Sequence, residues 1–140
     1  MHPLEAAINR YNDAWNRHDV DAILALHTDD SVFENHTSGG HAVGKEAIRK
    51  VIEGVFATFP DIHFEGRRLY VRDDLVVQEW TASATHAKPI TRSGVTVEPT
   101  GKKVSWKGMD VIPMRDGLVL RKDVYADSIG FLRQLGFEVP

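Results

Sequence analysis

An aspartate sits inside an apolar stretch near the C-terminus, Trp106-Lys107-Gly108-Met109-Asp110-Val111-Ile112-Pro113-Met114. Strand alternation puts Trp106, Gly108, Asp110 and Ile112 on one face. Burial beside tryptophan, glycine and isoleucine disfavours the charged form of a carboxyl. A carboxyl kept neutral can donate a hydrogen bond at neutral pH, as an oxyanion hole requires. Asp110 is therefore the first candidate for chemistry.

Other reactive side chains are spread along the chain. Tyr11 lies in an apolar helical stripe and offers a hydroxyl. His86 ends a strand on the same face as Trp80, Ala82 and Ala84; a histidine titrates near neutrality and can act as a base. Asn35 can hold a water or a ligand but cannot take a proton. His36 and His41 stand in the loop beside it. Glu34 points to the opposite side of its strand. The seven histidines include no His-x-x-x-His on a helix, and there is no cysteine. The spacing of His36 and His41 matches no recognised ligand pattern, so no metal site is expected.

The elements that must position these groups are readable from hydrophobic spacing. Leu4 to Arg17 predicts a helix, with Leu4, Ala7, Ile8, Tyr11 and Trp15 inward. Asp19 caps a second helix, Val20 to His27. Thr28-Asp29-Asp30 breaks it, and Ser31 to Asn35 follows as a short strand. Lys45 to Phe59 predicts the longest helix, with Ile48, Val51, Ile52, Val55 and Phe56 buried, and Pro60 ends it. Strands follow over Ile62 to Tyr70, Leu75 to His86, Lys103 to Met114 and Leu118 to Tyr125. Between them, Ala87 to Gly101 reads as a long hairpin excursion, a candidate lid over a pocket. Asp127 caps a last short helix, Ser128 to Leu135. Three helices followed by a meandering sheet indicate an α+β fold. A strongly bent sheet around the long helix leaves a cone-shaped interior whose apolar mouth suits a small molecule.

Bulk properties narrow the function. The 140 residues suit one domain over 1–140, and the 42% apolar fraction supports a core. A net charge of −3 with dispersed basic residues disfavours nucleic-acid binding. No apolar run approaches a membrane span. The N-terminus lacks the pattern of a secretory signal, so a cytoplasmic protein is expected.

Several segments together resemble the SnoaL-like polyketide cyclases of the nuclear transport factor 2-like superfamily, with the ketosteroid isomerases as cousins. They are YNDAWNRHDVDAILALHTDDSVFEN from Tyr11 to Asn35, HAVGKEAI from His41, EWTASATH from Glu79, Pro99-Thr100-Gly101, GMDVIPMRDG from Gly108 and YADSIGFLRQLG from Tyr125. The resemblance implies a cone-shaped barrel-like fold with N-terminal helices on a strongly curved, mostly antiparallel sheet. It places Tyr11 and Asp110 where ketosteroid isomerases keep their oxyanion pair. It puts Asn35 where their base stands. Asp110 and Val124 fall where the cyclases carry a histidine and an aspartate. Neither set is complete, which leaves His86 or a water on Asn35 as the base.

The function so implied is acid/base chemistry, of isomerase, cyclase or hydratase type, on a hydrophobic carbonyl compound. The alternative is a non-catalytic ligand-binding or assembly domain. Trp15, Asn35, His36, Phe56, Trp80, Trp106 and Val124 are expected to line the pocket, and no motif implies a cofactor. The resemblance also implies a homodimer through the outer sheet face bearing Arg121, Asp123 and Tyr125.

Overall fold

The computed structural model describes residues 2–92 and 94–138, with the Arg92 side chain excepted. The α+β architecture holds. Helix α1 (Pro3–Asn16) leads to α2 (Val20–Ala25), strands β1 (His27–Asn35) and β2 (Gly40–Val43), and the long helix α3 (Lys45–Thr58). Strands β3 (His63–Arg72), β4 (Leu75–Thr85), β5 (Ile90–Arg92), β6 (Val95–Val97), β7 (Lys103–Arg115) and β8 (Leu118–Ala126) follow, then α4 (Ser128–Gln134). Six strands form one sheet in the order β2-β1-β8-β7-β4-β3, antiparallel except where β1 runs parallel to β8.

Alternation sets the faces of this sheet. Along β7, Val104, Asp110, Ile112 and Met114 are buried while Lys103, Ser105 and Lys107 are exposed. Along β4, Val76, Gln78, Trp80, Ala82 and Ala84 point inward. The inward face packs on α1 and α3, whose Ile8, Ile48 and Ile52 have no exposed surface. Trp80 and Gly108 are cross-strand partners. A Cβ at Gly108 would fall within the Trp80 indole, so only glycine lets that ring lie flat on β7.

Two expectations are corrected. His27 does not end α2; it opens β1, opposite Val119 of β8. Leu26 turns the chain, and its carbonyl accepts from the Val119 amide. The Thr28-Asp29-Asp30 break is an irregularity inside β1, where the ladder with β8 shifts register before Val32. The segment after His36 is not all loop either, since β2 pairs back onto β1 with Asn35 opposite Gly40.

The Ala87–Gly101 excursion is a separate two-stranded hairpin, β5 with β6; Ser93 at its tip lies outside the described residues. Its base is anchored by Ile90, which is buried with Val104, Phe131 and Leu135. The two-residue turn at Asp116-Gly117 has both residues at positive φ (54° and 76°), which fits a tight hairpin. Among the described residues, no helix is long and apolar enough to cross a membrane.

Candidate active site

A cavity of about 1010 Å³ lies between the concave sheet face and helices α1, α3 and α4. Its walls are largely aromatic and aliphatic, as small-molecule sites are. Trp15 from α1, Trp80 from β4 and Trp106 from β7 contribute, with Phe33, Val124 and Phe131. Pro89, Ile90 and Thr91 of the excursion border it as well.

The polar part of the wall is compact. Asp110 is 2% exposed. Its Oδ2 accepts a hydrogen bond from Gln78 Nε2 at 2.8 Å. Gln78 is held in turn by Asn12 of α1: its Oε1 accepts from Asn12 Nδ2 at 2.8 Å, and its Nε2 donates to Asn12 Oδ1 at 3.1 Å. The other oxygen, Asp110 Oδ1, is buried and has no hydrogen-bond partner among the described residues. The Lys122 ammonium stands 3.9 Å from Oδ2 and makes an ion pair with it. Asn12, Gln78, Asp110 and Lys122 all border the cavity.

At Asp110 the engaged oxygen, Oδ2, accepts from Gln78, and a lysine supplies positive charge beside it. Lys122 and Gln78 formed no part of the sequence expectation. Their signal was available in the alternation that puts Arg121 and Asp123 outward, which turns Lys122 inward with Val124. In the same way Gln78 falls between inward Val76 and Trp80.

Of the expected pocket residues, Trp15, Asn35, Trp80, Trp106 and Val124 line the cavity and Phe56 and His36 do not. Phe56 stands behind Trp15, edge-on at 5.5 Å between centroids, and stacks on His18 at 4.3 Å. Asn35 faces the cavity, but its Oδ1 accepts from the amides of Thr37 and Ser38 and so shapes the loop. Only its amide nitrogen is left for a ligand.

Tyr11 and His86 lie elsewhere than expected. Tyr11 is 1% exposed and does not border the cavity. Its hydroxyl meets His27 Nε2 at 2.9 Å, and His27 Nδ1 meets Ser31 Oγ at 3.1 Å. Burial raises the Tyr11 pKa above its usual 10.0, against the Lys122 ammonium, which lowers it. Burial, then Lys122 and Lys45, lowers the His27 pKa to about 3. Both are therefore neutral near pH 7.

His86 is fully buried and also lies off the cavity wall. Its Nδ1 meets Thr100 Oγ1 at 3.0 Å, and its backbone bonds Gly101 and Lys102. It pins the two ends of the excursion together, because β4 ends where the chain leaves the sheet.

His36 sits on the outer sheet face. Its ring stacks on Tyr125 at 4.4 Å, and its nitrogens lie 2.8 Å from Asp123 Oδ1 and 3.2 Å from Glu34 Oε2. His41 meets Glu34 Oε1 at 2.9 Å. Ligand atoms of Glu34, His36 and Asp123 all lie within 4.8 Å of one another, a three-donor set that linear spacing did not foresee. The Arg121 guanidinium already bonds both Asp123 oxygens and Glu34 Oε1.

Known structures share this architecture. AclR from Streptomyces galilaeus, provisionally described as a hydroxylase, superposes with a TM-score of 0.81 at 28% identity, covering 100% of this chain and 90% of its own. IdmH from Streptomyces antibioticus, provisionally described as a polyketide cyclase, gives 0.79 at 26% identity, covering 98% and 100%. A protein of ketosteroid isomerase-like fold from Catenulispora acidiphila gives 0.78 at 16% identity, covering 96% and 97%, and so shares the fold. None of the curated proteins compared matches the chain by sequence. The profile of the SnoaL-like domain matches residues 8–122, and with these elements in place the chain belongs to the SnoaL-like domain family.

Proposed function

We propose that the protein is a small-molecule enzyme that moves a proton on a hydrophobic carbonyl compound, with Asp110 as the acid/base group. The observation that carries this is Asp110 Oδ1, buried and without a partner among the described residues on the wall of an aromatic cavity, while Oδ2 is fixed by Gln78. A buried polar atom without a partner is costly unless it serves a ligand. Asp110 takes a proton from the carbon beside the carbonyl and returns it to a second position. The outcome is an isomerisation, or a ring closure if a second carbonyl receives the new bond. The names of AclR and IdmH support small-molecule chemistry on this scaffold.

The test is exchange of α-protons into deuterated water by NMR, over a panel of hydrophobic aryl ketones, with Asp110→Asn beside wild type. Asparagine keeps the shape and cannot take a proton. A general acid/base contributes about 10²–10⁴-fold, so exchange falls by at least about a hundredfold. A folded Asp110→Asn protein at full rate ends this reading.

A ligand-binding module without turnover is favoured by one observation: Tyr11, Asn35 Oδ1 and His86 Nδ1 all bond within the protein. It predicts saturable binding of such ketones with no exchange by wild type. We further propose that two copies pair through the outer sheet face bearing Arg121, Asp123 and Tyr125. A monomer by light scattering at micromolar concentration argues against that pairing.

A further inference from the structure

We infer that Lys122 is the cation that receives an oxyanion in the cavity, so that the site selects phenolates and enolates over their neutral forms. This rests on the acid/base reading of Asp110 and assigns the other half of that step. The resemblance gives the oxyanion role to Tyr11 and Asp110 together, and the Tyr11 hydroxyl is bonded to His27 instead.

The surroundings of Lys122 give it a charge that little else cancels. Lysine is almost never buried unless paired, and this residue is 7% exposed. Its ion-pair partner among the described residues is Asp110, but 3.9 Å exceeds hydrogen-bond length, and that carboxylate oxygen already accepts from Gln78. Three rings complete the nest. Nζ lies 4.3 Å from the Trp15 ring centre, 5.0 Å from Tyr11 and 5.6 Å from Phe33. Aromatic faces attract a cation through their quadrupole and bring no net charge. They hold the ammonium in place without neutralising it.

The groups behind the nest do not compete. Tyr11 is kept protonated by burial, and His27, which fixes the Tyr11 ring, is kept neutral by burial and by Lys122 itself. Among the described residues, Asp110 is the ion-pair partner beside the ammonium. The two residues belong to neighbouring strands, with Asp110 opposite Val124 and Lys122 two positions along the same face. Both border the cavity.

The step balances without a cofactor. Asp110 takes the α-proton, and the C–H electron pair forms a carbon–carbon double bond. The carbonyl π pair moves to oxygen, and that oxygen accepts an N–H from Lys122. In an isomerisation the substrate is a β,γ-unsaturated ketone. The oxygen pair re-forms the carbonyl, the bond between the α- and β-carbons becomes double, and the former β,γ π pair takes the proton from Asp110 at the γ-carbon. In a ring closure, the enolate carbon bonds to a second carbonyl carbon and the new alkoxide takes the proton from Asp110.

The experiment is a fluorescence titration with 2-naphthol across pH, which reads the ionisation of the bound ligand. Wild type is expected to lower the naphthol pKa on binding by about one unit or more, a tenfold preference for naphtholate. Lys122→Met is expected to abolish the preference, and Lys122→Arg to keep it. Asp110→Asn is expected to strengthen it, because a negative charge beside the ammonium is gone. Opposite signs for two neighbouring variants are not produced by loosened packing.

Wild type that binds 2-naphthol with no preference for the anion, or does not bind it, overturns the assignment. So does a preference that Lys122→Met retains or that Asp110→Asn weakens. If Lys122→Met fails to fold, the wild-type, Lys122→Arg and Asp110→Asn arms still decide. Loss of α-proton exchange in Asp110→Asn with naphtholate preference intact in Lys122→Met would sink the Lys122 assignment and leave the acid/base reading standing. Exchange unaffected by Asp110→Asn would sink the acid/base reading, whatever the naphthol result.

Discussion

Around β8 the sheet carries charge on both faces, and the two faces use it differently. Outside, Arg121 bonds Asp123 at 2.7 Å and Glu34 at 3.2 Å, while His36 and His41 add to the network. These side chains remain part-exposed, at 36% for Arg121 and 14% for Asp123. Inside, one lysine and one aspartate meet at 3.9 Å, their side chains 9% and 3% exposed. The outer contacts are shorter and more numerous, yet water screens them and each contributes little. The inner pair is longer, and its desolvation is costly. A pair that stability alone would replace with apolar packing is the one that borders the cavity. Burial and cavity access, rather than the count of ion pairs, set the inner pair apart from the outer network.

The largest effect should come from breaking the inner pair on one side. Lys122→Ala leaves Asp110 buried without its cation and should cost about 3–5 kcal/mol in chemical denaturation. Lys122→Met combined with Asp110→Leu should be neutral or stabilising by about 1–4 kcal/mol, while naphtholate preference disappears. A double variant less stable than Lys122→Ala would mean the inner pair is structural after all, and the contrast between the faces would collapse.

Next is the wall that shapes the inner face. Gly108→Ala forces the Trp80 indole off β7 and should cost about 1–3 kcal/mol, read as a lowered midpoint in urea. An unchanged midpoint would show that the ring has somewhere else to go.

Titration separates the faces by pH. The unfolded chain protonates His27 below 6.5, whereas the folded chain resists until about 3. The unfolded state therefore binds the extra proton in that window, and stability falls with falling pH, by about 2 kcal/mol at pH 5. His27→Gln should remove this slope. On the outer face the Arg121 hydrogen bond, with burial opposing, lowers the Asp123 pKa below its usual 3.8. Its contribution is present above that value and lost only below it. A slope between pH 6.5 and 5 that survives His27→Gln would contradict this division.

The smallest effect is expected outside. Asp123→Asn should cost about 1 kcal/mol or less, and the cost should shrink further in salt. A larger, salt-insensitive loss would point to burial of this face, as in a dimer.

Much of the frame was legible because local rules set it. Strands β4 and β7 carried their alternation, and helix α3 its stripe of Ile48 and Ile52. Asp19 and Asp127 cap their helices through the amides of Ala22 and Gly130, as residues of their type do. The inward face of Asp110 followed from the same periodicity. His27 was misplaced because Leu26 turns the chain through a bond to Val119, far along the sequence. Tyr11, Phe56 and His86 were apolar-face residues by spacing, and spacing separates inside from outside but not core from cavity wall.

The sequence by itself determined which face of the main helices and of strands β4 and β7 turns inward, because periodicities of two and of 3.6 follow from backbone geometry. Which buried polar groups meet was decided by the tertiary structure. Tyr11 finds His27, Gln78 finds Asn12 and Asp110, and Lys122 finds three rings. Those pairings depend on strand register and on how α1 is rotated over the sheet. Packing of the whole interior fixes both, and no local stretch of sequence encodes them.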